Sequence, residues 1–223
     1  MGRCGIHYVR MYINREIDMK KILLVLTLSW LALLPISSQS ESQIKATINQ
    51  AASQLKSMTC DFVQTKHLKL LNDKMVSRGK MYYQQRDKLR WEYVSPYQYT
   101  FIINGTQVLL KNNARRDQID VNQNKVFKSI AQIMMNSVVG KCLSDDKSFR
   151  TSISVSGGEY IATLHPMKKD IKSMFDKIIL HFDKKRSLVS KVELIEKKGD
   201  RTVIELRNIQ SNVSIPQSTF TVR

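Results

Sequence analysis

From Cys60 onward, apolar and polar residues largely alternate with a period of two, in short runs broken by turn residues. That period places alternate side chains on opposite faces of a strand. It predicts strands at 60–69, 76–85, 88–94, 97–103, 106–111 and 115–121, and again at 149–155, 159–164, 176–183, 188–197 and 201–209. Leu89, Trp91 and Tyr93 share one face, as do Tyr97, Tyr99, Phe101 and Ile103. Asn104-Gly105 between two apolar runs is a strong hairpin signal. Gly157-Gly158, Asp183–Arg186 and Lys197–Asp200 mark further turns, and the tail, 213–222, reads as a last strand. Strands joined in this way form an antiparallel meander with one buried face. A sheet of ten or eleven strands must curl, split or close to manage its edges.

Two segments break the rule. Over Glu41–Thr59, Ile44, Ile48, Ala51/Ala52, Leu55 and Met58 recur at helical spacing, with Lys45, Asn49 and Lys56 off the stripe. Over Asn124–Val139, Phe127, Ile130, Ile133/Met134 and Val138 share a face, and Gly140 is placed to end the helix. Val126, Ala131, Met135 and Val139 widen that stripe beyond one-sided packing. Residues 168–174 add a helical turn or a loop. The fold class is mainly β (α+β): a curled sheet whose concave face the helices can cover.

The first 40 residues stand apart. Met19-Lys20-Lys21, an apolar run Ile22–Leu34 and Ser38-Gln39-Ser40 read as a signal peptide cut after Ser40, with residues 1–18 an upstream extension. The apolar run is short of the ~20 residues a membrane span needs. The chain from 41 to 223 is then one domain, exported to the periplasm. Removing five Lys/Arg (Arg3, Arg10, Arg15, Lys20, Lys21) and two acids (Glu16, Asp18) leaves 31 against 17, or +14. Such charge raises nucleic acid as a partner, but export argues against it. An anionic membrane surface or acidic protein fits better. Of the three cysteines only Cys60 and Cys142 remain, and spacing does not say whether they bond.

Catalytic and metal motifs are missing from the sequence: no G-x-S-x-G, G-x-G-x-x-G, Walker loop, H-E-x-x-H or C-x-x-C. His67, His165 and His181 are scattered without metal-ligand spacing. A hydrolase would need His165 or His181 beside Ser and Asp in a cleft. No cofactor is expected. What stands out is aromatic clustering, with seven of the aromatic residues between Tyr82 and Phe101. Met134-Met135 adds soft, adaptable apolar surface.

Phe62-x-Gln64-x-Lys66, Arg78-Gly79-Lys-Met-Tyr82, Arg86-Asp-Lys-Leu-Arg-Trp91-Glu-Tyr93-x-x-Pro96, Phe101-Ile-Ile-Asn-Gly105-x-x-Val108-x-Leu110 and the closing Thr219–Val222 resemble, in order and spacing, the LolA family of periplasmic lipoprotein carriers. The resemblance implies an incomplete antiparallel β-barrel of about eleven strands, with helices forming a lid over an apolar cavity. It implies acyl-chain contacts from Phe62, Met81, Tyr83, Leu89, Trp91, Tyr93, Tyr99, Phe101, Ile103, Val108 and Leu110. Phe127, Ile130, Ile133, Met134 and Val138 would face them from the lid. The family's Gly-x6-Arg-Pro-x4-Trp pattern falls on Gly79, Arg86 and Trp91, which makes Arg86 the latch of the lid. Asp87 replaces the family's Pro and could pair with Arg86 itself. The implied partners are acylated lipoproteins, a lipoprotein-releasing ABC transporter in the inner membrane and an outer-membrane acceptor, with the carrier a monomer. A carrier of another lipid or glycolipid, or an envelope-stress sensor domain, would use the same half-barrel.

Overall fold

The computed structural model describes residues 39–85, 87–120, 122, 133, 135–137 and 139–222. Helix α1 (Glu41–Gln54) begins at a capping box: Ser40 Oγ accepts from Gln43 N, and Gln43 Oε1 accepts from Ser40 N. Its apolar stripe buries Ile44, Ile48 and Ala52. Spacing extends the helix to Thr59, but the chain turns extended at Leu55. Lys56 N then donates to Asn212 Oδ1, and Met58 pairs across strands with Tyr83 and Ser211. Met58 suits both periods, because it also shares a strand face with Cys60 and Phe62. The sheet's hydrogen bonds outweigh another helical turn.

Eleven strands follow: β1 (Ser57–Leu68), β2 (Asp73–Gln84), β3 (Lys88–Ser95), β4 (Tyr99–Asn104), β5 (Gln107–Asn112), β6 (Arg116–Asp120), β7 (Phe149–Ser156), β8 (Glu159–Pro166), β9 (Phe175–Asp183), β10 (Val189–Glu196) and β11 (Arg201–Ser211). A short helix α2 (Lys169–Met174) precedes β9. All eleven belong to one antiparallel sheet in the order β6-β5-β4-β3-β2-β1-β11-β10-β9-β8-β7. Only β1–β11 pairs strands distant in sequence, in a register that sets Phe62 against Leu206 and Gln64 against Ile204. β6 and β7 stay as the edges of an unclosed barrel, and the chain between them connects one edge to the other.

Register puts one continuous apolar face on the concave side. Across β1 to β5 it runs through Phe62, Met81, Trp91, Phe101 and Leu110. Across β11 to β7 it runs through Ile204, Val192, Leu180, Ala162 and Ile153. These side chains form the main core together with Ile44 and Ile48 of α1 and Met135 and Val139. Ile133, Met135, Asn136, Ser137 and Val139 are helical, and Gly140 ends that stretch at φ +75°. A Cβ at Gly140 would meet Phe182 at 2.9 Å and Ile48 at 3.0 Å, so the close approach also requires glycine.

The tail is not a strand. After Ser211 the chain leaves the ladder, with Asn212 left-handed at φ +58°, and reaches a 3₁₀ turn at Gln217–Phe220. Ile215 and the fully buried Phe220 pack on Ile102 and Leu109, on the convex side of the sheet. Tyr97 also departs from expectation: it precedes β4 and is exposed, rather than sharing the buried face of Tyr99, Phe101 and Ile103.

Candidate functional site

An apolar cavity of about 230 Å³ lies between the concave face and the helical residues Ile133 and Ser137. Its sheet walls are Gln64 of β1, Trp91 and Tyr93 of β3, Phe175 of β9, Val192 and Leu194 of β10, and Ile204 of β11. It therefore sits where β1 meets β11. Gln64 and Ile204 are directly opposed there, and Ile204 opposes Val192.

Beside it, the Phe62 ring lies 4.6 Å from that of Trp91 and 5.1 Å, edge-on, from that of Tyr93. Tyr93 in turn lies 6.2 Å from Tyr99. The Tyr93 hydroxyl donates to Gln64 Oε1 at 3.0 Å, and burial holds its phenol above the usual tyrosine range. Trp91 Nε1 is buried; among the described residues no acceptor meets it in full hydrogen-bond geometry, and the Tyr93 hydroxyl is the polar group it acts on. A wall of this kind offers apolar surface and stacked rings, with the Tyr93 hydroxyl and the Trp91 indole N–H as its polar points. Among the described residues no cluster of His, Cys, Asp and Glu could hold a metal ion.

Of the predicted cavity residues, Trp91 and Tyr93 line the hollow. Phe62, Met81, Tyr83, Leu89, Phe101, Ile103 and Val108 are buried on the same face, packed as core around it. Tyr99 and Leu110 are partly buried against that core. Of the predicted lid residues Ile133 lines the cavity, whereas Phe127, Ile130, Met134 and Val138 lie outside the described residues. So does Arg86. Its neighbour Asp87 takes φ +62°, a left-handed conformation closed to proline, so the residue at 87 changes the β2–β3 turn itself. Sequence reasoning passed over Gln64, Ser137, Phe175, Val192, Leu194 and Ile204. In β10 and β11 apolar residues fall at odd and even positions alike, so which face turns inward depends on the β1–β11 pairing.

A second, polar depression of about 350 Å³ opens over β3–β5, with Arg90, Glu92, Lys111 and Arg116 among its walls. Its charged lining separates it from the apolar hollow. His181 does not stand alone either: its ring nitrogens lie 2.9 Å from Glu159 Oε2 and 3.1 Å from Glu193 Oε1. Ser190 Oγ donates to Glu159 and to the His181 carbonyl, not to the ring, and among the described residues the ring's partners are the two glutamates. Cys60 and Cys142 are buried and free.

An open half-barrel with a greasy hollow under a helical cover defines a class of proteins that bind hydrophobic ligands. The profile of the family described as "Outer membrane lipoprotein carrier protein LolA" matches residues 53–223. An outer-membrane lipoprotein carrier protein of Pseudomonas fluorescens is 25% identical over 190 residues, covering 85% of this chain and 89% of that one. One from Methylobacillus flagellatus is 30% identical over 145 residues, 64% of this chain and 66% of the other. Among solved structures, an uncharacterized conserved protein from Thermus thermophilus superposes with a TM-score of 0.50 at 10% identity, over 82% of this chain and 93% of its own. The chain belongs to the LolA family.

Proposed function

We propose that this protein carries acylated lipoproteins from a releasing ABC transporter in the inner membrane to an acceptor in the outer membrane, holding their acyl chains against the concave face. The observation that supports this most is the apolar cavity at the β1–β11 junction, walled by Trp91, Tyr93, Phe175 and Val192 and covered by Ile133. Moving one sixteen-carbon chain from apolar surroundings into water costs roughly 12 kcal/mol, so a carrier must supply comparable apolar surface. Ligand pockets commonly span ~300–1,000 Å³. A hollow of about 230 Å³ is smaller, which fits a closed form that opens on loading. Arg86, always charged and with five donors, would latch that form by bonding carbonyls of the lid. Met81, Leu89, Phe101, Ile103, Val108 and Leu110 would be reached by acyl chains as the cover lifts. Trp91 Nε1 would find its acceptor in an ester or amide carbonyl of the cargo.

Residues 19–40 would direct export to the periplasm, where the carrier acts as a monomer without a cofactor. Ser40 caps α1, so a cut that leaves Ser40 on the protein would keep the cap that a cut after it removes.

Trp91 is the only tryptophan beyond residue 40, so its emission reports the cavity directly. Lipoprotein is expected to co-purify from the cell envelope. The delipidated protein is expected to bind a long-chain acyl probe with a shift in Trp91 emission, and Val192→Asp to abolish that shift. Arg86→Leu should slow release to the acceptor. Delipidated protein that binds neither probe nor lipoprotein would refute the reading. Mass spectrometry of the extracted ligand separates lipoprotein from another lipid or glycolipid.

A further inference from the structure

The tip of the β1–β2 hairpin exposes two adjacent leucines. Leu68 pairs with Asp73, and the turn Lys69–Asn72 closes the hairpin, with Asn72 in the left-handed region at φ +48°. Turns of this kind favour Gly, Asn, Asp or Ser. Here the central positions hold Leu70, 94% exposed, and Leu71, 68% exposed. Met75 and Val76, just down β2, are exposed as well. No other part of the described surface gathers four large apolar side chains within seven residues.

The surroundings are basic. The tip leans on the β10–β11 turn: Lys69 N donates to Asp200 Oδ1 at 3.0 Å, and a Cβ on Gly199 would lie 2.6 Å from Lys69 Cδ. The two turns together present Lys69, Lys74 and Lys198, none of which forms an ion pair among the described residues. The nearby carboxylates are engaged. Asp73 accepts from Lys74 N, Glu196 pairs with Lys66 at 3.1 Å, and Asp200 accepts from Lys69 N.

We propose that this tip docks the protein onto anionic phospholipid bilayers, with Leu70 and Leu71 entering the interface while Lys69, Lys74 and Lys198 stay at the phosphates. A projecting apolar point within a lysine collar needs no shape-matched groove. It needs a fluid boundary that is apolar inside and negative at its surface, which is what a lipid headgroup layer provides. The excess of 31 Lys+Arg over 17 Asp+Glu in residues 41–223 draws the processed molecule toward such a surface, and the leucines fix which end meets it. The same strand β1 carries Gln64 at the cavity wall, so docking at the tip sets that end of the hollow toward the membrane.

The test is flotation of the full chain, purified as the cell processes it, with vesicles of phosphatidylglycerol and phosphatidylethanolamine or of phosphatidylcholine alone. The wild type is expected to float with the anionic vesicles only. Leu70→Asp with Leu71→Asp should lower the bound fraction at least about tenfold, and Lys69→Glu with Lys74→Glu about tenfold as well. Leu70→Ser with Leu71→Ser serves as a milder control, and circular dichroism checks that each variant folds. A wild type that stays with the soluble fraction, or leucine variants that float as well as it does, overturns the proposal. Acyl-probe binding, read from Trp91, should be unchanged in the hairpin variants, so docking and cargo binding succeed or fail independently.

Discussion

The Phe62 ring lies directly over Gly79: a Cβ on that glycine would fall 2.5 Å from Phe62 Cζ and 2.0 Å from the Glu92 carbonyl oxygen. The two residues are register partners across β1 and β2, and the β2–β3 register shifts between Arg78 and Gly79. Glycine here lets Phe62 lie flat against the sheet and stack on Trp91 and Tyr93. Gly79→Ala should therefore cost about 3 kcal/mol, the upper range for overpacking, because one clash is with backbone. Denaturant unfolding measures it, and weakened near-ultraviolet dichroism would report the displaced rings. Wild-type stability in this variant would show that the sheet has slack at this point.

The tail is a structural clamp on the convex side. Phe220 is fully buried against Ile102, Leu109 and Ile215. Phe220→Ala should lower stability by about 3 kcal/mol, as large-to-small changes in cores do. Because the tail lies across the sheet from the hollow, acyl-probe binding by the folded fraction should stay at its wild-type level. Loss of binding without loss of stability would contradict this placement.

Burial pushes the Cys60 and Cys142 thiols up to about 12. Thiolate is the reactive form, so neither should react with a disulfide reagent at pH 8 in the native protein. Both should react once the chain is unfolded. A reducing agent should leave the melting temperature unchanged, since the two are not bonded to each other. Rapid labelling of the native state would argue that this core opens.

Burial works to raise the Glu193 carboxyl, but Arg201, bonded at 2.7 Å, and His181 outweigh it and hold it below the usual carboxylate range. A carboxyl depressed in the folded state stabilises it above the unfolded value of about 4.5. That contribution fades as pH falls through the lower folded value. Glu193→Gln should thus be less stable than wild type at pH 7, with the gap narrowing below pH ~4. A gap that is constant with pH would assign the loss to packing rather than charge.

Much of the fold was legible locally. Alternation located all eleven strands, with ends displaced by a few residues. Asn104-Gly105 marked its hairpin, with Gly105 in the left-handed region at φ +61°. Gly140 marked the helix end. The aromatic face of β3 was readable because Leu89, Trp91 and Tyr93 alternate with Lys88, Arg90 and Glu92, and that of β4 because Tyr99, Phe101 and Ile103 recur at every second position. Half of the cavity wall was not, because Phe175, Val192, Leu194 and Ile204 sit in runs with apolar residues at odd and even positions alike.

The order of residues by itself determined where strands begin to alternate, where the chain must turn and which side chains are apolar enough to be hidden, since these depend on neighbours a few positions away. Tertiary structure alone decided that β1 pairs with β11, that the tail packs on Ile102 instead of extending the sheet, and that His181 falls between Glu159 and Glu193. Each of these is a contact between segments distant along the chain. A period of two specifies that a side of a strand is buried, but not what buries it, and only the β1–β11 pairing brings the two halves of the wall together around a hollow.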